Sequence, residues 1–285
     1  MPTRQIDGTE IFRIGLGAMP MSVEGRPDAD RSIRTIHAAL DAGANLIDLA
    51  DAYALGEEDF GHNEALLARA LGGSARRDGV IVATKGGHTR SGTDWTLNGR
   101  PEYLRAACEA SLRRLNVDRI DLYQFHRPDP DVPFAESVGA LRELRDEGKI
   151  RWAGLSNVTV AQLDEAEAIV EIAAVQNQLS LEYRGPIEKG EVAACADRGI
   201  AFLAWSPLGG IGNADEAPAR VEAVRAAAEA HGVSVQQVAL AWLLSLADTV
   251  VPIPGASRPE TILDSLGAAS LELTAEELQA IGAAG

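Results

Sequence analysis

Four ionisable residues of complementary type fall where short apolar runs give out. Asp48 closes the apolar part of NLIDLADAY (45–53), and Tyr53 stands five residues on. Lys85 ends VIVATK and His126 directly follows IDLYQF. A phenol titrates near pH ~10 and is a poor acid or base at neutrality, but an adjacent ammonium stabilises the phenolate and lowers that value. A carboxylate on the far side would keep the ammonium charged, and an imidazole could polarise a carbonyl or relay a proton. The set suits proton delivery to a carbonyl oxygen.

The elements that must position these groups alternate along the chain. Strand-like runs fall at RIGLG (13–17), NLIDLA (45–50), VIVATK (80–85), IDLYQF (120–125), RWAGLS (151–156), AAVQNQ (173–178), AFLAWS (201–206) and VVPIP (250–254). Amphipathic helical segments separate them, with RPETILDSLGAA after the eighth run and TAEELQAIGAA near the C-terminus. Eight β–α units with near-continuous apolar strands and no long linker predict a closed (β/α)₈ TIM barrel, one domain over 1–285. Asp7-Gly8 between β-prone residues predicts an N-terminal hairpin, placed to plug the barrel bottom. A doubly wound sheet would need a phosphate loop at the first strand. GLGAMP does not supply one, because Pro20 stands where the third glycine of G-x-G-x-x-G belongs.

A barrel of this kind carries its site at the C-terminal strand ends, and neighbouring strands lie about 5 Å apart, so groups from the second, third and fourth strands can converge. Singly, each group has a plainer reading. Asp48 could cap the next helix, Lys85 before Gly86-Gly87 could be a solvated turn residue, His126 could anchor the Arg127-Pro128 loop, and Tyr53 could pack at the rim. Their coincidence at successive strand ends favours the joint reading.

NLIDLADAY, ATK, QFH, GLSN and PIPGAS, in this order and at these strand positions, resemble the aldo-keto reductase superfamily along essentially the whole chain. The resemblance implies an NADPH-dependent oxidoreductase whose tetrad is Asp48, Tyr53, Lys85 and His126. Tyr53 would act as general acid helped by Lys85, Asp48 would pair with that lysine, and His126 would orient the carbonyl. It further implies that Ser156, Asn157 and Gln176 hold the nicotinamide carboxamide, a group needing both donors and acceptors. Trp205 would stack on the ring, its alternative being a core tryptophan of the seventh strand. Ser206, Leu208 and Gly255 join the implied cofactor set. Ser257 and Arg258, at the start of a helix, suit a phosphate and so NADP over NAD. Thr261 and Ser265 depart from the family pattern at the adenosine end, which loosens the expected cofactor grip. Asp51 is expected to be a solvated rim carboxylate, and Glu64, at the start of the next helix, a structural or cofactor-supporting one.

The flanking loops set substrate preference in such proteins. They predict a fairly open, partly apolar mouth walled by Met19, Met21, Trp95 and Tyr183. The short loop after Trp205 argues against a clamp over the pyrophosphate, and the short stretch after the last helix against a lid.

The bulk properties bound the partners. The 285 residues are 46% hydrophobic with a net charge of −16, which fits a globular chain and argues against nucleic acid, whose binders present a basic face. Cys108 and Cys195 lack metal-ligand spacing and read as reduced thiols on helices; no metal is expected. The N-terminus has no export signal and no run approaches a membrane span, so a cytoplasmic protein, monomeric or weakly oligomeric, is expected. Two other functions compete with carbonyl reduction. Lys85 could be the Schiff-base nucleophile of a barrel aldolase, or the chain could be a redox-sensing module that holds NADP and regulates a partner.

Overall fold

The computed structural model describes residues 3–72, 77–210, 212–213, 218 and 221–283. Its strands run, in chain order, β1 (Thr3–Ile6), β2 (Thr9–Phe12), β3 (Leu16–Gly17), β4 (Leu46–Asp48), β5 (Ile81–Gly86), β6 (His88–Ser91), β7 (Asp94–Leu97), β8 (Ile120–Phe125), β9 (Ile150–Ser156), β10 (Ile172–Gln178), β11 (Ala201–Trp205) and β12 (Val250–Pro252). Eight of them form one sheet in the order β12-β11-β10-β9-β8-β5-β4-β3, every neighbour parallel. The ends meet. The Gly15 and Gly17 amides donate to the Pro252 and Pro254 carbonyls at 3.0 and 2.9 Å, and Gly17 bridges Gly255 in parallel. A Cβ on Gly17 would lie 2.8 Å from the Ile253 carbonyl oxygen, so the closing seam requires glycine there.

The expected barrel is therefore present, with all eight strand segments in place. The first is the shortest because so few of its residues pair. Helices such as Ala29–Asp41, Pro101–Leu115, Phe134–Asp146 and Val235–Ser245 cover the outside. Leu67, Leu104, Leu141, Leu163, Leu240 and Ile262 fill the layer between helices and sheet. The barrel interior is closed from below. Ile6 and Ile11 of the β1–β2 hairpin, both fully buried, pack on Leu46, Leu122, Trp152 and Leu203. Asp7 (φ 45°) and Gly8 (φ 72°) form the left-handed turn that a two-residue hairpin demands, and the Trp152 indole donates to Asp7 at 2.8 Å.

Two local features differ from expectation. The segment after β5, expected as a loop, is a β6–β7 hairpin in which Thr89 pairs with Thr96 and Arg90 with Trp95. After β10 the chain forms two short helices, Gly185–Glu188 and Glu191–Arg198, rather than one, because Gly190 between them takes φ 87°. Cys108 and Cys195 are buried free thiols, each pushed up to about 12 by burial. No helix among the described residues is long and apolar enough to cross a membrane.

Candidate active site

The register of neighbouring strands brings the rim residues together. Asp48 sits beside Ala83, Lys85 beside Gln124, and Gln176 beside Ser156. Inward-facing groups of β4, β5, β8 and β10 therefore meet over the barrel axis. The Lys85 ammonium is fully buried and donates to Asp48 Oδ2 at 2.6 Å, to the Leu49 carbonyl at 2.7 Å and to the Tyr53 hydroxyl at 3.2 Å. All three of its protons are used. Asp48 Oδ1 accepts from Gln176 Nε2 at 2.8 Å and Gln124 Nε2 at 3.3 Å, so the carboxylate is held from both sides. Gln124 was not anticipated from sequence, although it is the inward residue beside His126 in the period-2 alternation of β8. A Cβ on Gly154 would stand 2.8 Å from Gln124 Cγ, so the glycine in β9 makes room for that side chain.

Electrostatics fix the protonation states. Burial alone would lower the Lys85 value, but the Asp48 and Tyr53 oxygens raise it, so the amine stays charged. Burial raises Tyr53 above the ordinary phenol value, and Lys85 only partly opposes this. The expectation that the ammonium would bring the phenol down is thus reversed, since desolvation of the phenolate outweighs the lysine's attraction. Tyr53 is a protonated acid aimed at the cavity. Burial pushes His126 well below the ordinary imidazole value and Lys85 adds to the effect, so its ring is neutral. His126 Nδ1 is buried without a hydrogen-bond partner, leaving Nε2 as the nitrogen open to a ligand. The Tyr53 and His126 rings meet edge to face, centroids 5.6 Å apart.

A cavity of about 410 Å³ opens above these groups, within the range of small-molecule sites. Asp48, Tyr53 and His126 line it, with Met19, His88 and Trp95, and so do Ser156, Asn157, Gln176 and Trp205. Ser206, Leu208, Gly255, Ser257, Arg258 and Thr261 line it too, so every cofactor residue expected from sequence reaches the same space. Asn157 (φ 60°) and Ser206 (φ 50°) both take the left-handed conformation, uncommon outside glycine and concentrated at functional sites. Asn157 Nδ2 donates to the His126 carbonyl and to Ser156 Oγ, each at 3.0 Å, which ties the strand ends of β8 and β9 together.

Two expected wall residues, and one expected at the adenosine end, lie elsewhere. Met21 is fully buried and packs in the main core, because the 3₁₀ turn Met19–Met21, with about three residues per revolution, sends its third side chain away from the first two; Met19 and Pro20 face the cavity instead. Tyr183 is exposed and does not line the cavity. Ser265 is buried on the helix Pro259–Gly267, away from the cavity, whereas Thr261 reaches it. Asp51 is also corrected. It is fully buried, not solvated at the rim, because its backbone is pinned beneath the rim by bonds to Lys85 O (3.3 Å) and from Gly61 N (2.7 Å). Both carboxyl oxygens lack a hydrogen-bond partner, and burial, reinforced by the neighbouring Glu64 charge, raises its value far above the usual carboxylate range. Glu64 is itself buried, accepting from Thr84 at 2.7 Å and from Arg114 Nε at 2.6 Å. The expectation of a short loop after Trp205, without a clamp, falls partly on residues 211, 214–217, 219 and 220, outside the described residues.

A sequence profile of the aldo/keto reductase family matches residues 13–285. The chain belongs to that family. A probable aldo-keto reductase of Glycine max is 33% identical over 302 residues, covering 96% of this chain and 85% of that protein. Among solved structures, the glycerol dehydrogenase of Gluconobacter oxydans superposes with a TM-score of 0.85 at 32% identity, over 99% of this chain and 94% of that one. An aldo/keto reductase from Klebsiella pneumoniae, solved with NADP and acetate, superposes with a TM-score of 0.81 at 28% identity, over 99% and 94% of the two chains. Membership makes this chain an oxidoreductase of the nicotinamide-using kind.

The donor set fits such a cofactor. Gln176 spends its amide N–H on Asp48 and keeps Oε1, and Asn157 spends its N–H groups and keeps Oδ1, so both offer acceptors to a carboxamide NH₂. Ser156 accepts from Asn157 and keeps its hydroxyl proton for the carboxamide oxygen.

Proposed function

We propose that this aldo/keto reductase reduces an aldehyde or ketone to an alcohol with NADPH, using Asp48, Tyr53, Lys85 and His126 as its catalytic machinery. The observation that carries the reading is the buried Lys85 ammonium bonded at once to Asp48 and to Tyr53, with the phenol opening on the cavity. When bound, the nicotinamide cofactor would supply the hydride for the carbonyl carbon. Tyr53 gives its proton to the carbonyl oxygen. Lys85, 3.2 Å away, stabilises the phenolate left behind, and so acts more strongly late in the proton transfer than before it. Asp48 keeps the ammonium charged and fixed. Neutral His126 donates from Nε2 to the carbonyl oxygen and orients it. Ser156, Asn157 and Gln176 hold the carboxamide, Trp205 offers its indole face, and Ser257 with Arg258 takes the 2′-phosphate at the start of the helix Pro259–Gly267.

Nothing favours the aldolase reading. A Schiff base needs a neutral, accessible amine, and Lys85 is charged and fully buried. Turnover is favoured over sensing because the four groups are assembled: Lys85 bonds Asp48 and Tyr53, and Tyr53 meets His126 edge to face. The acidic balance and buried free thiols fit a cytoplasmic enzyme of small carbonyl compounds. NADPH oxidation across a panel of aldehydes and ketones, with NADH as comparison, tests the reading. Carbonyl-dependent oxidation supports it, whereas tight NADPH binding without any turnover would turn it toward the sensor.

A further inference from the structure

The cavity is lined by two arginines, and they follow strands on opposite sides of the barrel, β8 and β12. Arg258 stands at the β12 end, where a cofactor phosphate accounts for it. Arg127 follows His126 directly, at the Tyr53, His88 and Trp95 end, where the proposed cofactor has no phosphate to offer. It is exposed, and among the described residues it makes no ion pair or hydrogen bond. The nearest carboxylate in sequence is not its partner. Asp129 is turned away, accepting from the Gly99 amide at 2.8 Å and the Asp131 amide at 3.0 Å.

Asp48, the one acid that lines the cavity among the described residues, is taken by Lys85, Gln176 and Gln124. Arg127 therefore borders a space with no free negative charge, in a chain whose net charge is −16. Such a cation, at the mouth of a cleft with low-dielectric walls, focuses field toward an incoming anion. Pro128 restricts the backbone of Arg127 and so the angle at which the side chain leaves the rim. His88 and His126 stack edge to face at 4.3 Å, and both rings, lowered chiefly by burial, also feel the arginine charge, which helps keep them neutral.

We propose that Arg127 is a substrate-recognition residue, and that the preferred carbonyl substrates carry a carboxylate or phosphate a few bonds from the reacting carbon. The inference rests on the carbonyl-reductase reading and names its substrate class. With the carbonyl oxygen between Tyr53 and His126, an anionic substituent directed toward β8 meets the guanidinium next in the chain. The planar fork pairs with either anion in two parallel hydrogen bonds, which a lysine cannot reproduce. His88 and Trp95, edge to face at 5.5 Å, wall the space between the two ends of such a molecule.

The test compares matched substrates with NADPH: para-carboxybenzaldehyde against its methyl ester, and glyceraldehyde phosphate against glyceraldehyde. The expected result is a kcat/KM about ten- to hundredfold higher for one anionic member, the range that a charge-assisted hydrogen bond supplies. The pair showing it tells carboxylate from phosphate. Arg127→Gln should remove that preference mainly through KM while leaving the neutral partner and the NADPH Kd unchanged, and Arg127→Lys should keep only part of it. Equal rates for anionic and neutral members, or a preference that survives Arg127→Gln, overturns the proposal while the reductase reading stands. Weaker NADPH binding in Arg127→Gln overturns it as well, by assigning the arginine to the cofactor. If neither the neutral nor the anionic aldehydes are reduced, the reductase reading fails and the substrate class falls with it.

Discussion

Lys85 and Asp48 form an ion pair, 2.6 Å long, at the centre of the barrel mouth, with the lysine wholly buried. In such a place the pair is worth less than the cost of breaking it, because a single buried charge left behind has no solvent to turn to. Asp48→Asn should lower stability by about 3–5 kcal/mol, and Asp48→Asn combined with Lys85→Met should recover much of that loss without recovering activity. Denaturant titration of the three variants measures both effects. A cost under about 1 kcal/mol for the single change would mean the ammonium is not held as described.

The two histidines at the mouth should not titrate in the working range. His88 is lowered to about 4 and His126 well below its ordinary value, in both cases chiefly by burial. The kcat/KM for reduction should therefore be flat between about pH 5.5 and 8, and should fall only at high pH, as the raised Tyr53 loses its proton. A limb centred near pH ~6.5 would contradict the neutral imidazoles.

Asp51 gives a prediction of opposite sign to the usual carboxylate. Its folded-state value is raised, so above the unfolded value of about 4 the native state binds the extra proton and stability falls as pH rises. Asp51→Asn has no such proton to lose. The variant should gain on the native protein by up to about 1.4 kcal/mol per pH unit over the range from about pH 5 upward. A difference that does not change with pH would place an ionised carboxylate there.

Arg258→Ala should weaken NADPH by about tenfold or more while changing NADH little, since the lost partner is a phosphate that NADH lacks. Fluorescence titration with each cofactor decides this. Equal losses would remove Arg258 from the 2′-phosphate.

The barrel was legible in the sequence because each of its strands is a short, largely apolar run and because helical segments of the right length separate them. The converging rim residues followed from topology alone, since successive strands of such a barrel must be neighbours. What escaped depended on direction within one turn of chain. Met19 and Met21 look alike in sequence, but a 3₁₀ turn sends one to the cavity and the other to the core. Asp51 looks like a rim residue until two backbone hydrogen bonds draw it under. The β6–β7 hairpin had a signal, in Thr89, Trp95 and Thr96 flanking Gly92, which takes φ 58°. Arg127 carried none, because an arginine beside a proline looks the same whether it faces solvent or a ligand.

The central claim is that Tyr53 delivers the proton, and Tyr53→Phe tests it most directly. Removing one oxygen leaves the edge contact with His126 and the cofactor-facing residues in place. The variant should lose carbonyl reduction by at least about 100- to 10,000-fold, with the NADPH Kd unchanged within about twofold. A Tyr53→Phe enzyme that still reduces the same carbonyl at near the native rate would contradict the account.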